Sequence, residues 1–84
     1  MSESSEQTER EKLAWVFIEP STLIDYSEAD FLTPSYRTVF HAMVALRNEN
    51  TFIDITTVAD HLNTTGVLQD IDGIKVLARI ADTV

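Results

Sequence analysis

Few residues of this 84-residue chain are of types that do chemistry, and they are widely spaced. His41 and His61 are the only histidines. Each falls within a helix-periodic segment, and neither has a cysteine, or a serine in a nucleophile motif, near it. Acid–base or nucleophilic catalysis needs such a partner within hydrogen-bond reach, so both read as surface or core-edge histidines. The run Asp70-Ile71-Asp72-Gly73 has the look of part of a calcium loop. Setting Gly73 at the loop's glycine position, however, puts Leu68 at the first ligand position and Arg79 where a bidentate glutamate belongs, and the ligands fail. No glycine-rich phosphate loop is present. With no cysteine there is neither a thiolate zinc site nor a disulfide framework. The residues predict no catalytic, cofactor-binding or metal-ligating side chain, and a small-enzyme reading is left without an active site.

The remaining polar signals are structural. In "FIDITTVADHLNTTG" (52–66), Asp54 precedes Ile55, Val58, Ala59 and Leu62 at the spacing of one helical face. An aspartate there can accept the free first amides of a helix, and its charge suits the positive helix end. Gly66 can take the left-handed conformation that ends the helix. Upstream, "TPSYRTVFHAMVALRNEN" (33–50) predicts Thr33 as N-cap, Pro34 as first helical residue and Tyr36, Val39, Phe40, Met43 and Leu46 as the core face, with an end near Asn48. The "TERE" at 8–11 has the spacing of a capping box, in which Thr8 and Glu11 satisfy each other's backbone amides. It predicts a helix from about Glu9 to Ile18. Residues 1–7, serine- and glutamate-rich, lack apolar anchors and read as a disordered tail ahead of a helical domain at 8–84. A short helix is expected at about Ser21–Tyr26 after Pro20. A last one starts near Gly73, with Ile74, Leu77, Ala78 and Ala81 on its core face. "TFIDI" has the composition of a brief extended stretch, but no pair of alternating strands appears. The fold class is all-α, a compact orthogonal bundle of about five helices in one domain.

Two apolar features exceed what a core requires. Leu13, Ala14, Trp15, Val16, Phe17 and Ile18 run consecutively around the first helix, so either the fold covers both sides or one awaits a partner. Val76, Ile80 and Val84 form a second strip on the last helix, covered by further chain or another subunit. The candidate interface residues are therefore Trp15, Phe17, Val76, Ile80 and Val84. Glu19, Asp25, Glu28 and Asp30 gather around the second helix as a solvated face or as a patch that steers a basic partner. A net charge of −8 with six scattered cationic residues excludes direct nucleic-acid binding by the counterion-release route. No long apolar run marks a membrane span, and MSESSEQ is no signal peptide. A cytoplasmic protein is expected, so the sequon at Asn63-Thr64-Thr65 reads as a helix end.

The order of these signals resembles the N-terminal domain of the DnaB-type hexameric replicative DNA helicase. The resemblance runs from about Thr8 to Val84. It rests on "EADF" at 28–31, on Arg37, Phe40, Met43 and Leu46, and on "IDITTVADHL" at 53–62. Gly66, Leu68, Gly73, Leu77, Ala78 and Asp82 follow at matching distances. The resemblance implies a non-catalytic helical head that in the family precedes a helical hairpin, a linker and the ATPase motor, where ATP and magnesium bind. It implies a collar of helicase subunits on which primase, through its C-terminal domain, and some helicase loaders dock. Where family members often carry a glycine pair in the first helix, this chain has Ala14 and Trp15. With the hairpin absent, the chain is expected to be a monomer or weak dimer. The rival reading is a free-standing phage or plasmid regulator that copies this head to bind helicase or primase.

Overall fold

A computed structural model describes residues 2–66, 68 and 72–83, with side chains from 6 onward. The described residues form four α-helices, α1 (Ser2–Ile18), α2 (Pro34–Asn48), α3 (Ile55–Thr64) and α4 (Gly73–Thr83), with two 3-10 helices, Pro20–Asp25 and Glu28–Asp30, between α1 and α2. No strand occurs among the described residues, and the "TFIDI" stretch up to Asp54 is a connection without regular structure.

The core is built around α2, which turns Tyr36, Val39, Phe40, Ala42, Met43 and Leu46 inward. Phe40 stacks on Phe31 with ring centroids 4.8 Å apart, and Tyr26 meets Phe31 edge-on at 6.2 Å. Leu13, Ala14 and Val16 from α1, Leu23 from the first 3-10 helix, Ile53, Val58 and Leu62 around α3, and Leu77 and Ile80 from α4 complete it. In the packing, α2 lies against α3, α1 against α4, and α3 against α4. The radius of gyration is 11.6 Å, close to the ~12 Å expected of a compact chain of this length.

Local chemistry sets the helix ends. Thr33 is the N-cap residue of α2, but its side chain makes no capping bond. Pro34 fixes the first turn, and the Thr33 N–H instead donates to the carboxylate of Glu9 on α1 at 2.9 Å. At the far end, Asn50 adopts a left-handed φ of 58°, which asparagine tolerates, and the Thr51 N–H donates to the Leu46 carbonyl at 2.8 Å. Asp54 caps α3: its carboxylate accepts from the Thr57 N–H at 2.8 Å while the Thr57 hydroxyl accepts from the Asp54 N–H at 2.9 Å. Gly66, at φ 80°, turns the chain after α3. Gly73 sits where a Cβ would collide with the Leu68 side chain, and its N–H donates to the Leu68 carbonyl at 2.6 Å.

Three expectations are corrected. The helix α1 begins at Ser2, so Thr8 and Glu11 lie inside it and cannot form an N-terminal capping box. The segment read as a disordered tail is from Ser2 its first turns, which glutamate and glutamine favour. Glu6 ties it to the fold, 3.8 Å from Arg79 of α4 and accepting from the Tyr36 hydroxyl at 3.5 Å. The core face of α4 is Gly73, Leu77 and Ile80, not Ile74, Leu77, Ala78 and Ala81. Ile74 is 63% exposed and Ile80 fully buried; on either side of Ile80 along α4, Arg79 and Thr83 meet Glu6 and Arg10 of α1. The short helix after Ile18 is of the 3-10 type, and a second one, Glu28–Asp30, has no counterpart in the sequence reading.

Candidate interaction surface

The sequence-derived interface residues separate in the structure. Ile80 is core and Val76 half-buried against it, while Val84 lies outside the described residues. No open strip on α4 therefore runs through Ile80. Phe17 is half-buried and packs on the core. Trp15 and Ile18 are left at 53% and 50% exposure.

The periodicity of α1 explains this division. Glu9, Leu13 and Val16 are buried at i, i+4 and i+7, whereas Glu11, Trp15 and Ile18 fall at the same spacing about half a turn away and face outward. Where the outward stripe meets the end of α4, a groove of about 260 Å³ opens between Glu11, Ala14, Trp15, Ile18 and Thr83. On the other flank of Trp15 a second depression is lined by Thr8, Glu11, Lys12 and Tyr26. Trp15 and Glu11 thus border both.

A polar network braces this corner. Arg10 donates from Nε to the Thr83 hydroxyl at 3.0 Å and from Nη1 to the Tyr36 hydroxyl at 3.5 Å. The Lys12 ammonium lies 3.4 Å from Asp30 and 5.8 Å from the centre of the Tyr26 ring. Asp30 also accepts from the Ser27 N–H at 2.7 Å and completes a capping box. That backbone bond, aided by Lys12, holds the Asp30 carboxyl below its ordinary 3.8. The acidic gathering expected around the second helix is therefore partly internal: Asp30 is used by Ser27 and Lys12, Glu28 lies 3.1 Å from His41 Nε2, and Glu19 accepts from the Ser21 hydroxyl at 3.0 Å.

His41 and His61 border one small cavity of about 170 Å³ between α2 and α3. Among the described residues no group of three or more His, Cys, Asp or Glu side chains is placed to hold a metal ion. Sequence reasoning missed Glu9, the buried carboxylate that holds the start of α2. Its spacing to Leu13 and Val16 was the available signal. Of the residues of the calcium-loop reading, Asp70 and Ile71 lie outside the described residues, whereas Leu68, Asp72, Gly73 and Arg79 lie inside them.

No described helix is long and apolar enough to cross a membrane. The family of DnaB-like helicase N-terminal domains matches residues 1–84. The replicative DNA helicase DnaB of Geobacillus stearothermophilus is 31% identical over 82 residues, covering 93% of this chain and 18% of that protein. The replicative DNA helicase DnaC of Bacillus subtilis (strain 168) is 32% identical over 82 residues, with the same coverage. The chain thus spans under a fifth of the length of these relatives, and the rest of each lies outside the matched region. An all-helical fold, the capped α3 and a family match along the whole chain agree: this chain belongs to the DnaB-like helicase N-terminal domain family.

Proposed function

We propose that these residues serve as the non-catalytic protein-interaction head of a replicative DNA helicase, contributing to a collar of helicase subunits and to the docking of primase or a helicase loader in the cytoplasm. The observation that carries the reading is the match of residues 1–84 to the N-terminal domain of that family. Two features support a protein-binding rather than a DNA-binding role. The net charge is −8, which repels a polyanion, and α1 presents an open face with Trp15 and Ile18. Any ATP and magnesium chemistry belongs to a motor domain outside the matched region.

The deciding observation is the gene sequence beyond Val84. A hairpin-forming pair of helices followed by a phosphate loop supports the helicase reading. A stop codon directly after Val84 rejects it in favour of a free-standing regulator that binds helicase or primase. Sedimentation of this chain and of a version extended through the next two helices, each with and without the cognate primase C-terminal domain, then tests the partners. The extended chain is expected to assemble further and to bind primase more tightly; equal behaviour of the two chains refutes a role for the following segment.

A further inference from the structure

We infer that the groove between α1 and the last turn of α4 is a docking site for an arginine side chain on a basic segment of a partner protein, with Trp15 and Ile18 covering its stem and Glu11 facing its charge. The groove is small, about 260 Å³, and bordered by an exposed carboxylate, an indole and a branched aliphatic side chain. That combination suits a long side chain that is apolar along its length and cationic at its tip. The face of an indole attracts a guanidinium, and aromatic–arginine contacts are over-represented among the residues that dominate interfaces.

The surrounding charges select the sign of the occupant. Glu11 is exposed, and among the described residues it has no ion-pair or hydrogen-bond partner. A shallow depression next to the groove joins it to Asp82, with Arg10 and Arg79 also on its border. Two of the nearby cations are balanced by carboxylates, Lys12 by Asp30 at 3.4 Å and Arg79 by Glu6 at 3.8 Å, and Arg10, which donates to the neutral Thr83 and Tyr36 hydroxyls and keeps its charge, leaves Glu11 and Asp82 in excess. A second copy is a poor occupant of this groove, because a symmetric contact here sets the Glu11 carboxylate near its own equivalent. An anionic lipid surface is disfavoured for the same reason. The proposal rests on the chemistry of the groove and holds whether or not the chain serves in a collar.

Trp15 is the only tryptophan, so its emission reports on the face of α1 that it borders, and amide shifts at Ile18 and Thr83, which line this groove and not the depression beside Tyr26, place the response here. The probes are three synthetic helical peptides with the same leucine pattern, carrying arginine, citrulline or glutamate at the flanking positions. Citrulline keeps the shape of arginine and removes its charge. The arginine peptide is expected to shift Trp15 emission saturably, with amide chemical-shift changes centred on Glu11, Trp15, Ile18 and Thr83, and to bind roughly fivefold or more tightly than the citrulline peptide. Glu11→Gln should narrow that difference, and Trp15→Leu should weaken arginine-peptide binding followed by amide shifts, both with unchanged far-ultraviolet dichroism. Equal binding of the arginine and citrulline peptides overturns the proposal, as does no saturable response to the arginine peptide or shifts centred on another face. Concentration-dependent sedimentation abolished by Trp15→Glu would assign the face to a second copy and overturn it as well.

Discussion

Removing the cap of α3 tests how much of this domain rests on one aspartate. In Asp54→Ala the Thr57 N–H loses its acceptor at 2.8 Å, and no neighbouring turn can replace it because it belongs to the unpaired first turn of a helix. Both residues are half-buried, so water compensates only in part. Losing an N-cap costs about 0.5 to 2 kcal/mol, and a charged, partly buried acceptor belongs in the upper half of that range, about 1 to 2 kcal/mol. Asp54→Asn keeps an acceptor oxygen and loses only the interaction of the charge with the helix end, at most about 1 kcal/mol. Thr57→Ala removes the reciprocal bond from the Asp54 N–H and the hydroxyl donation to the Phe52 carbonyl at 2.7 Å. The two halves share the same first turn, so the double variant should cost less than the sum of the singles. Urea melts followed by dichroism and by Trp15 fluorescence measure all four chains. For a domain of this size each kcal/mol moves the melting temperature by roughly 4 to 8 °C. An Asp54→Ala chain as stable as the parent, or strict additivity in the double variant, would refute the reciprocal cap.

Phe40→Ala should cost about 3 to 5 kcal/mol, since Phe40 is buried and stacked on Phe31 at 4.8 Å; a loss below about 1 kcal/mol in the same melts contradicts its place in the core. Ile80→Glu should destabilise this chain itself by about 3 to 5 kcal/mol, because Ile80 is fully buried, whereas Ile74→Glu on the exposed side of α4 should change stability by less than about 0.5 kcal/mol. Equal effects of the two, read by thermal dichroism, would reverse the assigned face of α4. Asp30 gives a pH signature. Its carboxyl is held below the ordinary 3.8 by the Ser27 N–H and Lys12, so its contribution is present above that value and is lost as pH falls through the lowered folded value. The melting-temperature gap between wild type and Asp30→Asn should therefore be widest well above 3.8 and close as pH falls below it, and a gap that widens on acidification is the contrary result.

What the sequence disclosed depended on whether a signal was local. The helix α2 was legible from Thr33 to Asn48 because its apolar residues occupy a single face and a proline opens it. The cap at Asp54 was legible because the aspartate stands next to the helix it serves, although its partner Thr57 was not foreseen. At the start of α1 a local pattern misled. "TERE" has capping-box spacing, but the helix already begins at Ser2, and its start is tied down by contacts from Glu6 to Arg79 and Tyr36, which are remote in sequence. The end of the chain failed for a related reason. Gly73, Val76, Leu77 and Ile80 compete with Ile74, Leu77, Ala78 and Ala81 as the apolar face of α4, and periodicity alone weighs them equally. The choice is made by the approach of Gly73 to Leu68 and by the packing of α1 and α3 against α4, neither of which is a helical period.

The burial of Ile80 moves the candidate interface from α4 to α1, and the remaining exposed apolar residues support that move. Ile24, Leu32, Phe52 and Ile74 are also exposed, but they stand on the first 3-10 helix, two separate connections and α4. Single apolar residues scattered in this way are ordinary on a soluble surface. Trp15 and Ile18 differ because they share a stripe with Glu11, one helical turn apart from each other, and border one groove with Thr83. A run of apolar residues going round a helix therefore has two parts in this domain. Leu13 and Val16 hold α1 to the core, and Trp15 and Ile18 sit half a turn away with a carboxylate at their amino-terminal end. The side of α1 that folding leaves uncovered is thus chemically distinct from the rest of the surface, as a site of recognition requires and a solvated face does not.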